Sequence, residues 1–274
     1  MAKQLRIGVT SKVYRPDILK LAEDIINYLE SKCELSFKKE LGEKINFKGS
    51  HINFNDPDLD IIFSLGGDGT ILNTVNELSG TKVAVLGIKR GGKGFLSEIE
   101  NNLEENLDKI IRGNYFIEER MKLDVEINRK PLGEVLNDAV VCTAVPGKIQ
   151  HFALEIHGDS IDSMSADGII IATPTGSTAY ALSAGGPIIE PTLDAYEITP
   201  ICPFRLNSRS FVVPSKTLTE IRLIKDRKGL VILDGDKECG VTKKDIIKIK
   251  KSKNKAYFVK FKRDHLKKVR KLLS

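Results

Sequence analysis

Ile61-Ile62-Phe63-Ser64-Leu65-Gly66-Gly67-Asp68-Gly69-Thr70 is the stretch that decides the fold. Five largely apolar residues read as a buried strand, a glycine turn follows at once, and Ile71, Leu72, Val75 and Leu78 then recur at helical spacing. The carboxylate of Asp68 is therefore expected at the carboxyl end of a strand and just ahead of a helix, where open α/β sheets bind ligands. Glycines on both sides of Asp68 remove side chains, so a phosphate or a sugar can approach the backbone. A plain strand-to-helix turn does not require three glycines around a carboxylate.

Working outward, Leu5–Thr10 reads as a strand and Pro16–Ser31 as an amphipathic helix with Ile18, Leu19, Ala22, Ile25, Ile26 and Leu29 on one face. A strand is expected around Cys33–Phe37. Residues 42–60 read as loop, with Asn55-Asp56-Pro57 as a breaker and Asp56-Pro57-Asp58 as a turn. Val83–Ile88 is another apolar strand and Asn101–Arg112 a helix. This alternation implies a Rossmann-like α/β domain over residues 1–116, with a parallel sheet and helices on its faces. From Ile117 the rhythm changes to short alternating strands, including Lys122–Ile127, Gly133–Val141, His151–His157, Ser160–Ser165 and Glu220–Ile224. Residues 117–256 are expected to form a mostly β, sandwich-like domain. Tyr257–Leu273 reads as a last strand-like stretch and a basic helix, and this C-terminal segment, about 257–274, is expected to pack back on the first domain.

Hydrophobic residues make up 41% and charged residues 29% of the 274, the balance of a soluble globular protein. No apolar run reaches membrane-spanning length, and Met1-Ala2-Lys3-Gln4 leads into a strand with no signal sequence, so a cytoplasmic protein is expected. Cys33, Cys142, Cys202 and Cys239 are scattered without a CxxC pair, and the four histidines do not cluster, so no disulfide framework and no metal site is assigned. The net charge of +6 is concentrated in the lysine-dense Lys243–Lys271 stretch. No recognition motif accompanies it, so nucleic acid is not the expected partner. A polyanionic small substrate, or a merely solvated surface, fits it better.

Gly87–Gly94 nearly satisfies GxxxxGK[ST], but Gly94 stands where the metal-binding hydroxyl belongs, so this is not a P-loop. It remains a second glycine-rich loop near the same sheet edge. The third informative stretch runs Ala166-Asp167-Gly168-Ile169-Ile170-Ile171-Ala172-Thr173-Pro174-Thr175-Gly176-Ser177-Thr178-Ala179-Tyr180-Ala181-Leu182-Ser183-Ala184-Gly185-Gly186-Pro187. A strand enters a hydroxyl-rich turn and a short helix that Gly-Gly-Pro stops. Its Ser and Thr hydroxyls either cap the helix or form an anion- or nucleotide-binding helix start. Tyr180 offers a ring for stacking a base or for the core. Gly176-Ser177-Thr178 is not a hydrolase elbow, because Thr175 and Ala179 occupy the places where glycines are needed.

Taken together, Gly66–Thr70 and Thr173–Pro187 resemble the NAD kinase family. Leu136-Asn137-Asp138-Ala139-Val140, Pro200-Ile201-Cys202-Pro203 and Leu233-Asp234-Gly235-Asp236 match in family order, so the resemblance spans roughly residues 5–270. It implies phosphorylation of the 2′-hydroxyl of the adenosine ribose of NAD by ATP or polyphosphate with Mg²⁺ or another divalent metal. Asp68 would be the base, Gly69 would keep the approach open, and Gly66, Gly67 and Thr70 would belong to the phosphate-donor loop. Asn137 and Asp138 would hold ribose hydroxyls. Asp167, Thr178, Ala179, Tyr180 and Ser183, with Ala181 and Leu182, would line the adenine and nicotinamide sites, and Cys202 would lie near one base. It also implies a homo-oligomer, dimer or tetramer, whose site is shared between subunits. Three positions depart from the family pattern: Asp138 replaces a glutamate, Asp236 a glutamine, and Ser165 a basic residue. Lys148 or Arg209 is expected to compensate for Ser165 on the phosphate side. Two other functions compete: a lipid or sugar kinase using the same turn, which would not need Thr173–Ser183, and a dinucleotide sensor, which would tolerate Asp68→Asn.

Overall fold

The computed structural model describes residues 4–55, 57–91 and 94–273. Asp56 of the expected turn and Gly92-Lys93 of the second glycine loop lie outside the described residues. The chain divides into two compact units, residues 1–119 with 256–274 and residues 120–255.

The first unit opens β1 (Arg6–Thr10), α1 (Pro16–Leu29), β2 (Glu34–Phe37), α2 (Lys39–Lys44), β3 (Ser50–His51), β4 (Ile61–Leu65), α3 (Asp68–Glu77), β5 (Ala84–Ile88), α4 (Leu103–Ile111). Its strands lie in the order β5-β4-β1-β2-β3 and pair in parallel. Every residue of β4 and β5 is buried, as expected of inner parallel strands covered on both faces. Helix α1 starts with Pro16, whose fixed φ suits a first turn, and buries Ile18, Leu21, Ala22, Ile25 and Leu29 against the sheet. One expectation is corrected here and another gains its boundary. The stretch 42–60, read as loop, takes in the end of the short helix α2 and the whole of strand β3. The C-terminal helix does not begin at 257: Tyr257 and Phe258 pair in parallel with Ala84 and Val85 at the edge of β5. The helix itself spans only His265–Leu273. Alternating Tyr257-Phe258-Val259-Lys260 serves a sheet edge, and its aromatic and β-branched residues favour strand.

The second unit is almost entirely β. Its strands are β6 (Phe116–Ile127, entering from the first unit), β7 (Lys130–Val135), β8 (Asp138–Thr143), β9 (Gln150–Ile156), β10 (Asp159–Ala166), β11 (Gly168–Ala172), β12 (Ala195–Ile201), β13 (Phe211–Pro214), β14 (Thr219–Leu223), β15 (Gly229–Leu233), β16 (Lys237–Val241) and β17 (Ile247–Lys260, leaving the unit after Lys255). Helix α5 (Tyr180–Ser183) lies between β11 and β12, and α6 is the C-terminal helix of the first unit. One antiparallel sheet runs β13-β12-β11-β8-β15-β16. Strands β10, β9, β14 and β17 form another layer, with β6 paired to β17 and β7. Strands β14 and β15 alternate buried and half-buried residues, the period-2 pattern of a sheet with one face inward. Leu123, Phe152, Leu154 and Ile221 of one layer share a core with Val141, Ile169, Ile171 and Ile198 of the other, which makes the unit sandwich-like.

Candidate active site

In the first unit the strand order reverses between β1 and β4: the chain builds outward through β2 and β3, then returns to the other side of β1. Such a switch point opens a crevice at the carboxyl ends of the strands. Asp68, the first residue of α3, follows β4 at this place, and the Ser11 hydroxyl just after β1 donates to Leu65 O at 2.8 Å. Gly66 has φ +147°, and a Cβ there would lie 2.6 Å from Thr70 Oγ1, so only glycine fits. Thr70 is thus a buried packing partner of the turn, its N–H donating to Gly67 O at 2.9 Å. A side chain at Gly67 or Gly69 would meet nothing within 4 Å; space is open on both sides of the Asp68 carboxylate.

That carboxylate is held from behind. Phe95 N–H donates to Oδ2 at 2.8 Å and Leu96 N–H to Oδ1 at 3.2 Å. Gly94 lies flush against it: a Cβ there would come within 2.7 Å of Asp68 Oδ1 and 2.8 Å of Ser97 Oγ. The sequence singled out the 87–94 glycines as a second loop without assigning them this task. The donors are backbone N–H groups, which no side-chain motif records.

In the second unit, three adjacent strands deliver residues to one end of a sheet. Strand β8 starts at Asp138, β11 ends at Ala172 opposite it, and β15 ends at Leu233 opposite Ala139. Asn137, Asp138, the Thr173–Ser183 segment and Asp236 are brought together there. Asp234 ties this end, its carboxylate accepting from the N–H groups of Leu136 (2.9 Å), Asn137 (2.8 Å) and Asp138 (3.1 Å). Gly176 lies against the same strand, where a Cβ would be 2.1 Å from Asn137 O. Asp234 and the Gly176 contact are features that the sequence reading did not assign.

The hydroxyls of the 173–178 turn face inward. Thr173 Oγ1 donates to Leu136 O, Ser177 Oγ to Pro174 O at 2.7 Å and Thr178 Oγ1 to Thr175 O at 3.2 Å, while Arg120 donates to Thr175 Oγ1 at 3.1 Å. They build the turn. Ala181 is fully buried against Ile170 and Ala172, whereas Tyr180 is 47% exposed and so is not a core residue. Ala179 and Leu182 are half-buried and Ser183 is exposed.

Asp167, Lys148 and Cys202 lie toward the opposite end of the sheet. Asp167 precedes β11, Cys202 follows β12, and Gly168 pairs with Ile201. Thr143 N–H donates to Asp167 O at 2.9 Å just before the loop that carries exposed Lys148. The length of β11, roughly 13 Å at the usual rise, separates the two groups. Tyr180 is in electrostatic reach of both: its hydroxyl pKa is raised first by burial, then by Cys142, Cys202, Asp138 and Asp167. Arg209 Nη1 is spent on its own loop, donating to Leu206 O at 3.0 Å and Ser208 O at 2.8 Å. The Ser165 hydroxyl bonds His151 Nδ1 at 2.8 Å.

Acidity concentrates beneath the first of these ends. Burial, then the charges of Asp234 and Glu197, push Asp138 up to about 7. Burial raises Asp234 as well, opposed by its three N–H bonds and by Lys122. Asp138 therefore changes protonation near neutrality and serves as hydrogen-bond donor on one side of it and acceptor on the other.

The chain matches two family models, the ATP-NAD kinase N-terminal domain over residues 12–115 and the ATP-NAD kinase C-terminal domain over residues 136–261. It is 39% identical to an NAD kinase of Methanosphaera stadtmanae, over 95% of this chain and 96% of that one. An NAD kinase from Archaeoglobus fulgidus, solved in complex with ATP, is 30% identical with a TM-score of 0.77, covering 97% of this chain and 99% of that one. A yeast NADH kinase complexed with NADH shares the fold, with a TM-score of 0.86 at 24% identity over 99% of this chain and 88% of that one. The chain belongs to the NAD kinase family, enzymes that phosphorylate NAD.

Proposed function

We propose that this chain transfers a phosphoryl group from ATP, or from polyphosphate, to the 2′-hydroxyl of the adenosine ribose of NAD, with Asp68 as general base. The observation that supports it is the Asp68 carboxylate, fixed by the Phe95 and Leu96 N–H groups at a sheet switch point with open space over Gly67 and Gly69. A ribose hydroxyl is a weak nucleophile, and a carboxylate in hydrogen-bond reach that accepts its proton contributes roughly 10²–10⁴ in rate. The hydroxyl oxygen forms the new P–O bond as the bond to the leaving phosphate breaks and the proton passes to Asp68. The glycine loop at the start of α3, with Gly66, Gly67 and Thr70, would receive the donor phosphates, Gly66 and Thr70 shaping it through their N–H bonds to Ile88 O and Gly67 O.

Asn137 and Asp138 would hold ribose hydroxyls, and Tyr180 would stack a base, with Asp167 and Cys202 at the far station and Lys148 on the phosphate side. The exposed Asp236 would contact the dinucleotide. Among the described residues, no group of three or more His, Cys, Asp or Glu is placed to hold a metal ion. Mg²⁺ or another divalent ion would be held by donor phosphates and water, with Asp68 as the carboxylate available at the donor loop; bound there it would neutralise phosphate oxygens. A cytoplasmic homo-oligomer completes the proposal; among the described residues no helix is long and apolar enough to cross a membrane.

The test is to incubate purified protein with NAD, Mg²⁺ and either ATP or polyphosphate, and to detect NADP with an NADP-specific dehydrogenase. We expect Asp68→Asn to keep NAD binding within several-fold and to lower turnover at least about a hundredfold. Weakened binding with normal turnover would remove Asp68 from the role of base.

A further inference from the structure

We propose that a lysine-lined cavity between α4 and α6 of the first unit binds a linear phosphate chain. The cavity, about 350 Å³, is lined by Lys109, Lys262, Lys267, Lys268 and Lys271. Its lining does not include the Gly66–Thr70 loop, although Lys268 on its inner wall is within electrostatic reach of Asp68; binding of a phosphate chain here is a separate event from the reaction assigned to Asp68.

The charge balance of the lining is positive. Three carboxylates, Glu98, Glu100 and Asp264, also border the cavity. Glu98 is already occupied: Lys260 donates to Oε2 at 2.9 Å and Phe261 N–H to Oε1 at 2.9 Å. Lys109 pairs with Glu105 at 2.9 Å, outside the lining. Among the described residues, Lys262 and Lys267 are in no ion pair. Lys268 reaches inward to donate to Ser97 O. Its pKa is lowered first by burial and then by the Lys260 charge, against the opposing charges of Glu98, Glu100 and Asp68, so the net condition is one an entering anion would relieve.

The arrangement favours a chain over a single phosphate. The ammonium groups come from the last turn of α4, from the segment before α6, and from successive turns of α6, where Lys267 and Lys271 share a face at i, i+4 spacing. One phosphate cannot meet them all. Lysine ammoniums are point charges on flexible stems, suited to a ligand whose negative charge is spread along its length. A cleft lined by one sign of charge also concentrates such an ion.

The test combines lysine labelling with calorimetry on the whole protein. Amine acylation with acetyl N-hydroxysuccinimide ester, read by peptide mass spectrometry, is run without ligand and with inorganic tripolyphosphate, ATP or orthophosphate. Tripolyphosphate is expected to slow labelling of Lys262, Lys267 and Lys271 at least threefold while the exposed Lys20 and Lys39 are unchanged, and orthophosphate to protect less. Protection by ATP equal to that by tripolyphosphate would identify a nucleotide's phosphate tail as an equal source of the ligand, whereas protection by tripolyphosphate alone would identify an inorganic chain. In calorimetry, the Lys262→Ala/Lys267→Ala/Lys271→Ala variant should lose one tripolyphosphate event or weaken it at least tenfold. Gly67→Val, which fills the open space at the donor loop, should keep the protection, which separates this site from that loop. Equal protection of Lys20 and Lys39, or unchanged calorimetry in the triple variant, would overturn the proposal.

Discussion

Replacing Glu197 by glutamine should change how stability depends on pH. Glu197 lies on β12 opposite Ala172, has no exposed surface, and accepts a hydrogen bond from Thr199 Oγ1 at 2.7 Å on Oε2. Its Oε1 is buried with no partner among the described residues. Burial raises its carboxyl from 4.5 to about 7, with the Thr199 bond opposing. Below 4.5 the group is protonated both folded and unfolded. Between 4.5 and 7 only the folded protein keeps the proton, so the stabilisation relative to the ionised state drains away as pH rises through this window. At about 1.4 kcal/mol per pH unit, the Glu197 share of the loss between pH 5 and 8 is on the order of 2–3 kcal/mol. The assay is urea unfolding at intervals from pH 5 to 8.5. The wild-type chain should lose stability with rising pH, and Glu197→Gln should show a profile flatter by about that amount. A glutamine that packs poorly lowers the whole curve but leaves its slope informative. Parallel profiles would refute a neutral, buried Glu197.

Further outcomes follow from other contacts. Gly94→Ala places a methyl against Asp68 Oδ1 and Ser97 Oγ; NAD phosphorylation should fall at least about tenfold with thermal unfolding changed little, since a carboxylate displaced by even 1 Å loses its alignment. Asp234→Ala strands three N–H donors of the Leu136–Asp138 segment and should cost on the order of 1–3 kcal/mol per buried donor left unsatisfied, read by denaturant unfolding. Tyr180→Ala should raise the KM for NAD with little change in kcat; an unchanged KM would remove Tyr180 from the dinucleotide site.

The first half of the fold was legible because it is built from strong local signals. Largely apolar, fully buried β4 and β5, the Pro16-led amphipathic helix and the glycine turn each agree with the final arrangement. The stretch 42–60 was harder: α2 is only six residues with a glycine inside, and β3 is two residues, too short for either period to register. Tyr257–Lys260 reads as strand-like from its aromatic and β-branched residues, but that it pairs with the edge of β5 is a tertiary fact that local sequence does not display. At the candidate site, Asp68 and the 173–187 segment stood out by residue type. What grips Asp68 did not, because Phe95 and Leu96 act through backbone N–H groups. The 173–178 hydroxyls carried two readings, and only their inward hydrogen bonds separate building the turn from facing a ligand.

The Tyr257–Phe258 ladder also sets an order of events. The first unit receives its outermost strand only after the whole second unit has left the ribosome, roughly ten to thirty seconds after β5 at ordinary synthesis rates. During that interval the Gly87–Ile88 end of β5 is already bonded by Glu98 and Ile99, but its Ala84–Val85 end presents unpaired N–H and C=O groups on one side, a template for the wrong partner. Joining residues so distant in sequence makes closure of this sheet a slow, high-contact-order step. A chain truncated at Lys255 would retain Asp68 and the Thr173–Ser183 segment yet leave the Ala84–Val85 end of β5 permanently open, and its characteristic failure would be aggregation through that end of the strand.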